Sequence, residues 1–204
     1  MNKQAMLMIL LLSAGSLLFA QDDNSKTSLL SRIFLPSIDF GYQIPNSTLI
    51  EGAVRFSTSI EYRFKNNNDF FVRLSYDTYN PRYSLSQSNT TSNTIDGSAN
   101  MTDALFGPGY RFGDNTFRMM IAVMPGVKMY EFPTASLDGS RVIVSQEAKQ
   151  LFTTVALATL EYYFDHKSAF TISISQNSVW KKVDFWADGT SAVSFSLGFI
   201  TSLL

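Results

Sequence analysis

The chain has one histidine, His166, and it lies in the segment Asp165-His166-Lys167-Ser168. An imidazole beside a hydroxyl and a carboxylate is the combination that activates a serine nucleophile. Here the three side chains lie within four residues of one short turn, where base and nucleophile cannot readily reach the geometry that acyl transfer needs. The segment is better interpreted as a solvated polar turn, and we expect no catalytic residue and no enzymatic activity.

The composition excludes several other kinds of site. Without cysteine the chain has no disulfide, no thiolate metal site and no cysteine nucleophile. It also lacks a glycine-rich phosphate loop, a zinc-protease motif and a calcium loop, so we expect neither a metal nor a cofactor. With 16 basic and 17 acidic residues, it offers no basic field for a nucleic acid. Charged residues make up only 16% of the chain, against about 25% in soluble domains.

The N-terminus predicts export. Lys3 precedes an apolar run that ends at Ala20, followed by a polar stretch. The run is too short to span a bilayer as a helix and is typical of a cleaved signal peptide. We therefore assign residues 1–20 to a signal peptide, 21–30 to a short polar segment and 31–204 to one domain.

Alternation of apolar and polar residues predicts eight strands in the domain. In residues 50–64, every second residue from Ile50 to Phe64 is apolar, glycine or threonine, and the residues between them are mostly polar. Seven further segments have strand character, most of them with the same alternation. The eight strands are 34–42, 50–64, 70–77, 104–112, 117–128, 152–164, 170–175 and 193–199.

Three hairpins carry aromatic residues on both sides of a short turn. Each strand ends in Tyr-x-Phe and the next begins with Phe, at Tyr62, Tyr110 and Tyr162. The other connections are longer and polar, at 43–49, 80–100, 132–149 and 181–190, and we expect Ser86 to Asn100 to be exposed and mobile.

The polar face is dominated by Ser, Gly, Arg and Glu, which suits the crowded interior of a narrow barrel. Together with the aromatic ring at the short turns, this predicts an all-β fold, an eight-stranded antiparallel up-and-down transmembrane β-barrel with the apolar face outside. A soluble lipocalin-like barrel with the apolar face inside is the alternative.

In these features the chain resembles the small bacterial outer-membrane barrels of the OmpA/OmpX type and the related porin-family barrel domains. The resemblance covers about residues 31 to 204. It implies location in the outer membrane of a Gram-negative bacterium. The partners that it implies are outer-membrane lipids, lipopolysaccharide and, during insertion, the barrel-assembly machinery.

The inward parity collects charged residues. Pairing Phe64 with Phe70 places Glu61 opposite Arg73, and the same construction in the second hairpin places Arg111 opposite Arg118. We predict a polar plug near the short turns that closes the lumen to ions, formed by Glu61, Arg63, Arg73, Arg111, Arg118 and Glu161. Over the whole inward face, six acids balance six bases. The acids are Asp39, Glu51, Glu61, Asp77, Asp103 and Glu161, and the bases are Arg55, Arg63, Arg73, Arg111, Arg118 and Lys128.

A second candidate site is the segment 180–186, which contains both tryptophans and two lysines. It has two interpretations. Trp180, Lys181, Lys182 and Trp186 form either an aromatic belt near lipopolysaccharide phosphates or an outer-surface site for ligand binding or adhesion.

We therefore expect a non-enzymatic integral outer-membrane barrel that supports envelope integrity or presents extracellular loops for interaction. A narrow porin-like channel for small solutes is the alternative, and a soluble lipid carrier is the third possibility.

Overall fold

In the computed structural model, residues 33–47, 50–64, 67–86, 94–138, 141–180 and 191–202 are described. The predicted signal peptide (1–20) and the polar segment 21–30 lie outside these residues. Within the described residues, no helix has the length and apolar character needed to cross a membrane.

The described chain forms ten strands, of which eight close into an antiparallel barrel. The order around the barrel is β1-β10-β9-β8-β7-β6-β3-β2, so the first and last strands pair with each other. This confirms the predicted fold class. The strands are β1 (Ile33–Pro45), β2 (Ala53–Phe64), β3 (Asn67–Tyr79), β4 (Arg82–Ser86), β5 (Thr94–Ser98), β6 (Met101–Gly113), β7 (Phe117–Asp138), β8 (Arg141–Tyr163), β9 (Ser168–Val179) and β10 (Ala192–Ser202).

Successive strands are staggered in one sense around the barrel. The cross-strand partners of Phe70 on β3 can be followed through β6, β7, β8, β9, β10 and β1 to Val54 on β2. Val54 is next to Arg55, which pairs with Tyr79 back on β3. One circuit therefore advances about ten residues along β3, the shear that tilts the strands and closes a small barrel. Each of the eight barrel strands therefore has one face toward the lumen and one face toward the outside.

The outer face is apolar and the lumen face is mostly polar, as the alternation predicted. On β2, Val54 is 66% exposed whereas Ser59 is 3% exposed, and on β10, Leu197 is 64% exposed whereas Ser194 is 3% exposed. Phe, Ile, Leu and Val side chains cover the outside of the barrel.

Two predicted loops are partly wrong. The polar segment 80–100 contains a hairpin, because β4 pairs with β5 from Arg82–Ser98 to Ser86–Thr94. The predicted loop 132–149 is instead a continuation of β7 and β8, which remain paired as far as Asp138 and Arg141. Val142, Ile143 and Val144 have high strand preference, so the sequence did contain a signal for this extension.

The connections 114–116 and 164–167 lie at one end of the barrel, here called the short-turn end, together with the strand ends Phe64 and Asn67, and the opposite end is called the long-loop end. The connections 114–116 and 164–167 have the same hydrogen-bond pattern. Asp114 Oδ1 accepts the backbone N–H groups of Thr116 at 2.8 Å and Phe117 at 2.7 Å, and Asp165 Oδ1 accepts those of Lys167 and Ser168. These bonds lower the pKa of Asp114 because they favour its charged form.

Candidate functional site in the barrel lumen

Among the residues that the structure describes, the lumen holds ten buried charged side chains, five acidic and five basic. Ten of the twelve charged residues predicted for the inward face are therefore buried in the lumen, and their charges cancel. Glu51 lies before β2 and is exposed, and Arg118 is only half-buried. The buried set is Asp39, Glu61, Asp77, Asp103 and Glu161 with Arg55, Arg63, Arg73, Arg111 and Lys128.

Arg111 is the centre of a cluster toward the short-turn end. Its Nε donates to Glu161 Oε2 at 2.6 Å, and its Nη2 donates to Glu161 Oε1 at 2.8 Å and to Glu61 Oε2 at 2.9 Å. The guanidinium also lies over the Phe71 ring, with Cζ 4.7 Å from the centroid. All three charged side chains have essentially no solvent exposure. This bidentate geometry is the strongest form of an arginine–carboxylate contact.

Arg73 and Arg63 extend this cluster across the lumen. Arg73 Nη1 contacts Glu61 Oε1 at 3.2 Å, and its Nη2 reaches Asp39 Oδ2 at 3.4 Å. Arg63 Nη2 contacts Glu61 Oε2 at 3.4 Å and donates to the Tyr163 hydroxyl at 3.1 Å. We call the six residues Asp39, Glu61, Arg63, Arg73, Arg111 and Glu161 the short-turn cluster.

Five of the six residues predicted for the plug thus come together, and Arg118 does not join them. Its Nε donates to the Asp114 carbonyl at 3.0 Å, and its guanidinium lies 5.2 Å from the Tyr163 ring centroid. Sequence reasoning missed Tyr163, whose hydroxyl donates to Glu161 Oε2 at 2.9 Å. Tyr163 lies two residues after Glu161 and therefore on the same face of the strand, which could have identified it as a lumen residue from the sequence.

The predicted pairing is correct in part. Glu61 lies opposite Arg73 as expected, but a register irregularity after Arg63 places Phe64 opposite Asn67 rather than Phe70.

The second hairpin is also shifted. Arg111 lies opposite Met120, and Arg118 lies opposite Gly113, so the predicted Arg111–Arg118 pair is wrong. Gly113 has a positive φ of 129°, a conformation that glycine tolerates and that moves the turn by one position on each strand.

An apolar layer fills the lumen beyond the short-turn cluster. It is built on β3, β6, β7 and β8, whereas the inward residues of β9 and β10 at this depth are mostly serine and threonine. Large side chains on one wall facing small ones on the other fill a narrow barrel without voids. The layer consists of Phe71, Leu105, Met120, Ala122, Met124, Val155 and Leu157.

A second group of ion pairs lies toward the long-loop end. Arg55 Nη2 contacts Asp77 Oδ2 at 2.5 Å, and Lys128 Nζ contacts Asp103 Oδ2 at 3.5 Å. Lys128 also donates to the Tyr79 hydroxyl, and Asn177 Nδ2 donates to Asp103 at 2.8 Å. We call Arg55, Asp77, Asp103 and Lys128 the mouth cluster.

An apolar group covers the mouth cluster. Ile50 bridges to Tyr83 on β4, and the Glu51 N–H donates to the Arg82 carbonyl at 2.8 Å, which ties the β1–β2 connection to the β4–β5 hairpin. The apolar group consists of Ile50, Ala53, Tyr79, Tyr83, Ala99, Met101, Tyr130 and Leu151.

Of the remaining candidate residues, the structure describes His166 and Trp180, and neither points into the lumen. His166 is exposed in its turn. Trp180 is 76% exposed, and its indole N–H donates to Thr154 Oγ1 at 2.7 Å. Lys181, Lys182 and Trp186 lie outside the described residues. Within the described part of the chain, no group of His, Asp and Glu is placed to hold a metal ion.

No family model matches the chain, and no curated protein matches it either. Solved structures do resemble it. OprG, an outer-membrane protein from Pseudomonas aeruginosa, superposes with a TM-score of 0.60 at 9% identity, over 84% of this chain and 95% of that one. Neisserial surface protein A gives a TM-score of 0.55 at 13% identity, over 85% of this chain and 98% of that one. At such identities the likeness shows the fold, and the chain has the closed eight-stranded barrel fold of small outer-membrane proteins, as predicted.

Proposed function

We propose that this protein is a non-enzymatic integral barrel of the outer membrane of a Gram-negative bacterium, with a closed lumen. Its role is to support the envelope or to present extracellular structure for interaction. The proposal rests on an inverted distribution of polarity, because the outer wall is apolar and ten charged side chains among the described residues are buried inside. A soluble domain gains stability by the opposite arrangement.

The height of the apolar wall supports residence in a bilayer. On β2 the outward series runs from Val54 to Phe64, and the ten steps between these two residues rise about 33 Å along the strand. At the tilt of a small barrel this corresponds to about 25 Å along the axis, the height of the apolar band of outer-membrane barrels.

Aromatic residues border the wall at the short-turn end. The ring centroids of Phe70 and Tyr110 are 4.8 Å apart, those of Phe117 and Tyr162 are 5.0 Å apart, and Phe164 contacts Phe170 and Phe199. Such a girdle suits the boundary between hydrocarbon and headgroups. The partners that follow from this placement are outer-membrane lipids and lipopolysaccharide, together with the barrel-assembly machinery during insertion.

The β7–β8 hairpin extends beyond the rest of the barrel and supports the interaction role. Beyond Tyr130 and Thr153, β7 and β8 pair only with each other in the described residues, and they continue to Asp138 and Arg141. About eight residue pairs at about 3.3 Å each extend the hairpin by roughly 25 Å. Among the described residues it extends furthest beyond the barrel pairing, which makes it the surface that we propose a partner contacts.

The lumen is closed at three depths, by the short-turn cluster, the apolar layer and the mouth cluster with its cover. We therefore expect no resolvable single-channel current when the full-length mature chain is reconstituted in planar bilayers. The charged side chains of both clusters are paired with each other, so they do not form a charged pathway for ions. Insertion is verified in the same sample by protection of the strands from added protease. Discrete, reproducible conductance steps from inserted protein would contradict a closed lumen and favour the narrow channel for small solutes.

A further inference from the structure

The projecting β7–β8 hairpin has two long strand edges above the barrel wall. At the foot of the β7 edge, the Glu131 N–H donates to the Asn100 carbonyl at 3.0 Å, and at the foot of the β8 edge, the Trp180 N–H donates to the Phe152 carbonyl at 3.1 Å. Beyond these two bonds, no described residue outside the hairpin pairs with either edge. An exposed strand edge is a template for pairing with another strand.

The same two bonds establish which backbone groups face outward on each edge. In an antiparallel pair, the N–H and C=O of one residue point to the same side, and the side alternates along the strand. Because Glu131 bonds outward, the odd-numbered residues of β7 face outward, and because Phe152 bonds outward, the even-numbered residues of β8 do so. The register agrees, since odd-numbered residues of β7 pair with even-numbered residues of β8 throughout the hairpin.

The two edges differ in their capacity to accept a strand. Pro133 occupies an outward position of β7, where its missing N–H interrupts the edge without breaking the bonds between β7 and β8. Proline on an edge strand is one of the features that prevent pairing with other chains. Residues 142–150 of β8 contain no proline, and they begin with three β-branched residues of high strand preference. A further strand is therefore expected on the β8 edge and not on the β7 edge.

A second copy of this chain is the partner that closes such an assembly. Antiparallel pairing of two β8 edges gives a four-stranded sheet in the order β7-β8-β8-β7, and both of its outer edges then carry Pro133. The interface is two-fold symmetric and does not propagate. An unrelated strand added to β8 would instead present a new open edge of its own.

One register suits both the backbone and the charges. With Val144 on the two-fold axis, outward-facing residues pair with outward-facing residues, and Val142 lies opposite Gln146 of the second copy. This arrangement gives about six backbone hydrogen bonds between the copies. It also places position 141, an arginine, opposite Glu147 of the second copy, twice by symmetry. Opposite charges at paired positions stabilise antiparallel strands.

The register also leaves room for the two barrels. Arg141 lies about 10 Å beyond Val144 toward the end of the hairpin, whereas Phe152 lies about 26 Å from Val144 toward the barrel. The end of each hairpin therefore stops short of the barrel of the other copy. Antiparallel β8 strands point the two barrels in opposite directions. In a single membrane both β8 strands would run the same way, and the barrels are too wide to approach to one strand spacing of about 4.8 Å.

We propose that the β8 edge of one molecule pairs antiparallel with the β8 edge of a second molecule in an opposing membrane, so that the protein joins two outer-membrane surfaces. The inference rests on the proposed function, because the direction in which the hairpin projects is set by a barrel that spans the membrane.

The test uses the mature chain in phosphatidylcholine nanodiscs with one barrel per disc, so that two copies can meet only across discs. Sedimentation equilibrium measures the association, and wild type is expected to form pairs of discs. Val144→Pro removes the outward N–H at the two-fold axis and is expected to weaken pairing by about thirtyfold, the effect of two lost hydrogen bonds. Ala135→Pro changes the cross-strand partner of Val144, on the blocked β7 edge, and is expected to leave pairing unchanged.

A charge exchange tests the register. Glu147→Arg alone and Arg141→Glu alone each place like charges at both paired positions, and each is expected to weaken pairing by about tenfold. An equimolar mixture of the two variants is expected to pair as wild type does, because every acid then lies opposite a base. Electrostatic effects that do not depend on this register would not be restored by mixing.

Four results would overturn the inference while leaving the proposed function intact. They are folded wild-type discs that stay single, a Val144→Pro variant that pairs as wild type does, an Ala135→Pro variant that loses pairing to the same extent as Val144→Pro, and a mixture that pairs no better than its separate components. Heat-modifiable gel migration of each sample reports the folded barrel. A wild-type chain that forms no such barrel in the discs contradicts the proposed function itself.

Discussion

Replacing Arg111 by methionine is expected to lower the free energy of unfolding by about 3–5 kcal/mol, the usual cost of removing one partner of a buried ion pair. Arg111 contacts both Glu61 and Glu161, and all three side chains are shielded from water. Without the guanidinium, Glu161 keeps only the Tyr163 hydroxyl of the contacts described for it. Urea-induced unfolding in phosphatidylcholine vesicles, followed by tryptophan fluorescence, measures the change.

Two variants separate lost pairing from lost packing. Arg118→Met makes the same substitution at the same end of the barrel, but Arg118 is half-buried and has no ion pair among the described contacts, so its cost is expected to stay below about 1 kcal/mol. Arg111→Met combined with Glu161→Leu removes both members of the bidentate pair and is expected to be more stable than Arg111→Met alone. Equal stabilities of Arg111→Met and Arg118→Met would contradict the role of the short-turn cluster.

Replacing Leu197 by arginine is expected to destabilise the barrel in a bilayer by about 2–4 kcal/mol, the cost of a cation on the lipid face near the midplane. Leu197 is 64% exposed and lies near the middle of the outward series of β10. On a soluble protein, a substitution at so exposed a position changes stability by only about 0.5 kcal/mol. A lipid-facing and a water-facing position therefore predict different losses of stability for the same variant.

The control for this variant is Asn80→Arg. Asn80 is exposed after β3, at the long-loop end of the barrel and above the apolar wall. The same unfolding measurement in vesicles is expected to show little change for it. Similar small effects of both substitutions would argue that the outer wall does not face lipid.

The alternation of side chains was sufficient to predict the eight barrel strands and their faces. It did not predict the partner of Arg111, because the construction assumed a symmetric turn and Gly113 moves the true register by one residue on each strand. A combined shift of two residues preserves the side-chain parity. For that reason Arg111 points inward as expected although its cross-strand neighbour is Met120.

Other features depend on contacts that a periodic pattern does not contain. Phe71 and Met120 occupy the polar parity, yet both are buried in the apolar layer because the opposite wall is made of small residues. Glu51 shares the parity of Arg55 but lies before β2 begins at Ala53, where the alternation no longer specifies an inward position. The β4–β5 hairpin forms in a segment whose serine and threonine content indicated a loop.

Spin-label accessibility along β10 measures whether the apolar face of the barrel strands faces lipid. The chain has no cysteine, so single cysteines can be introduced at each position from Val193 to Phe199, except Gly198, where a side chain would collide with Asp39. Nitroxide labels are then read in phosphatidylcholine vesicles against oxygen and a water-soluble nickel chelate. We predict oxygen maxima and nickel minima at 193, 195, 197 and 199, and low collision rates with both reagents at 194 and 196. Nickel maxima at 193, 195, 197 and 199 would show that this face meets water instead of lipid.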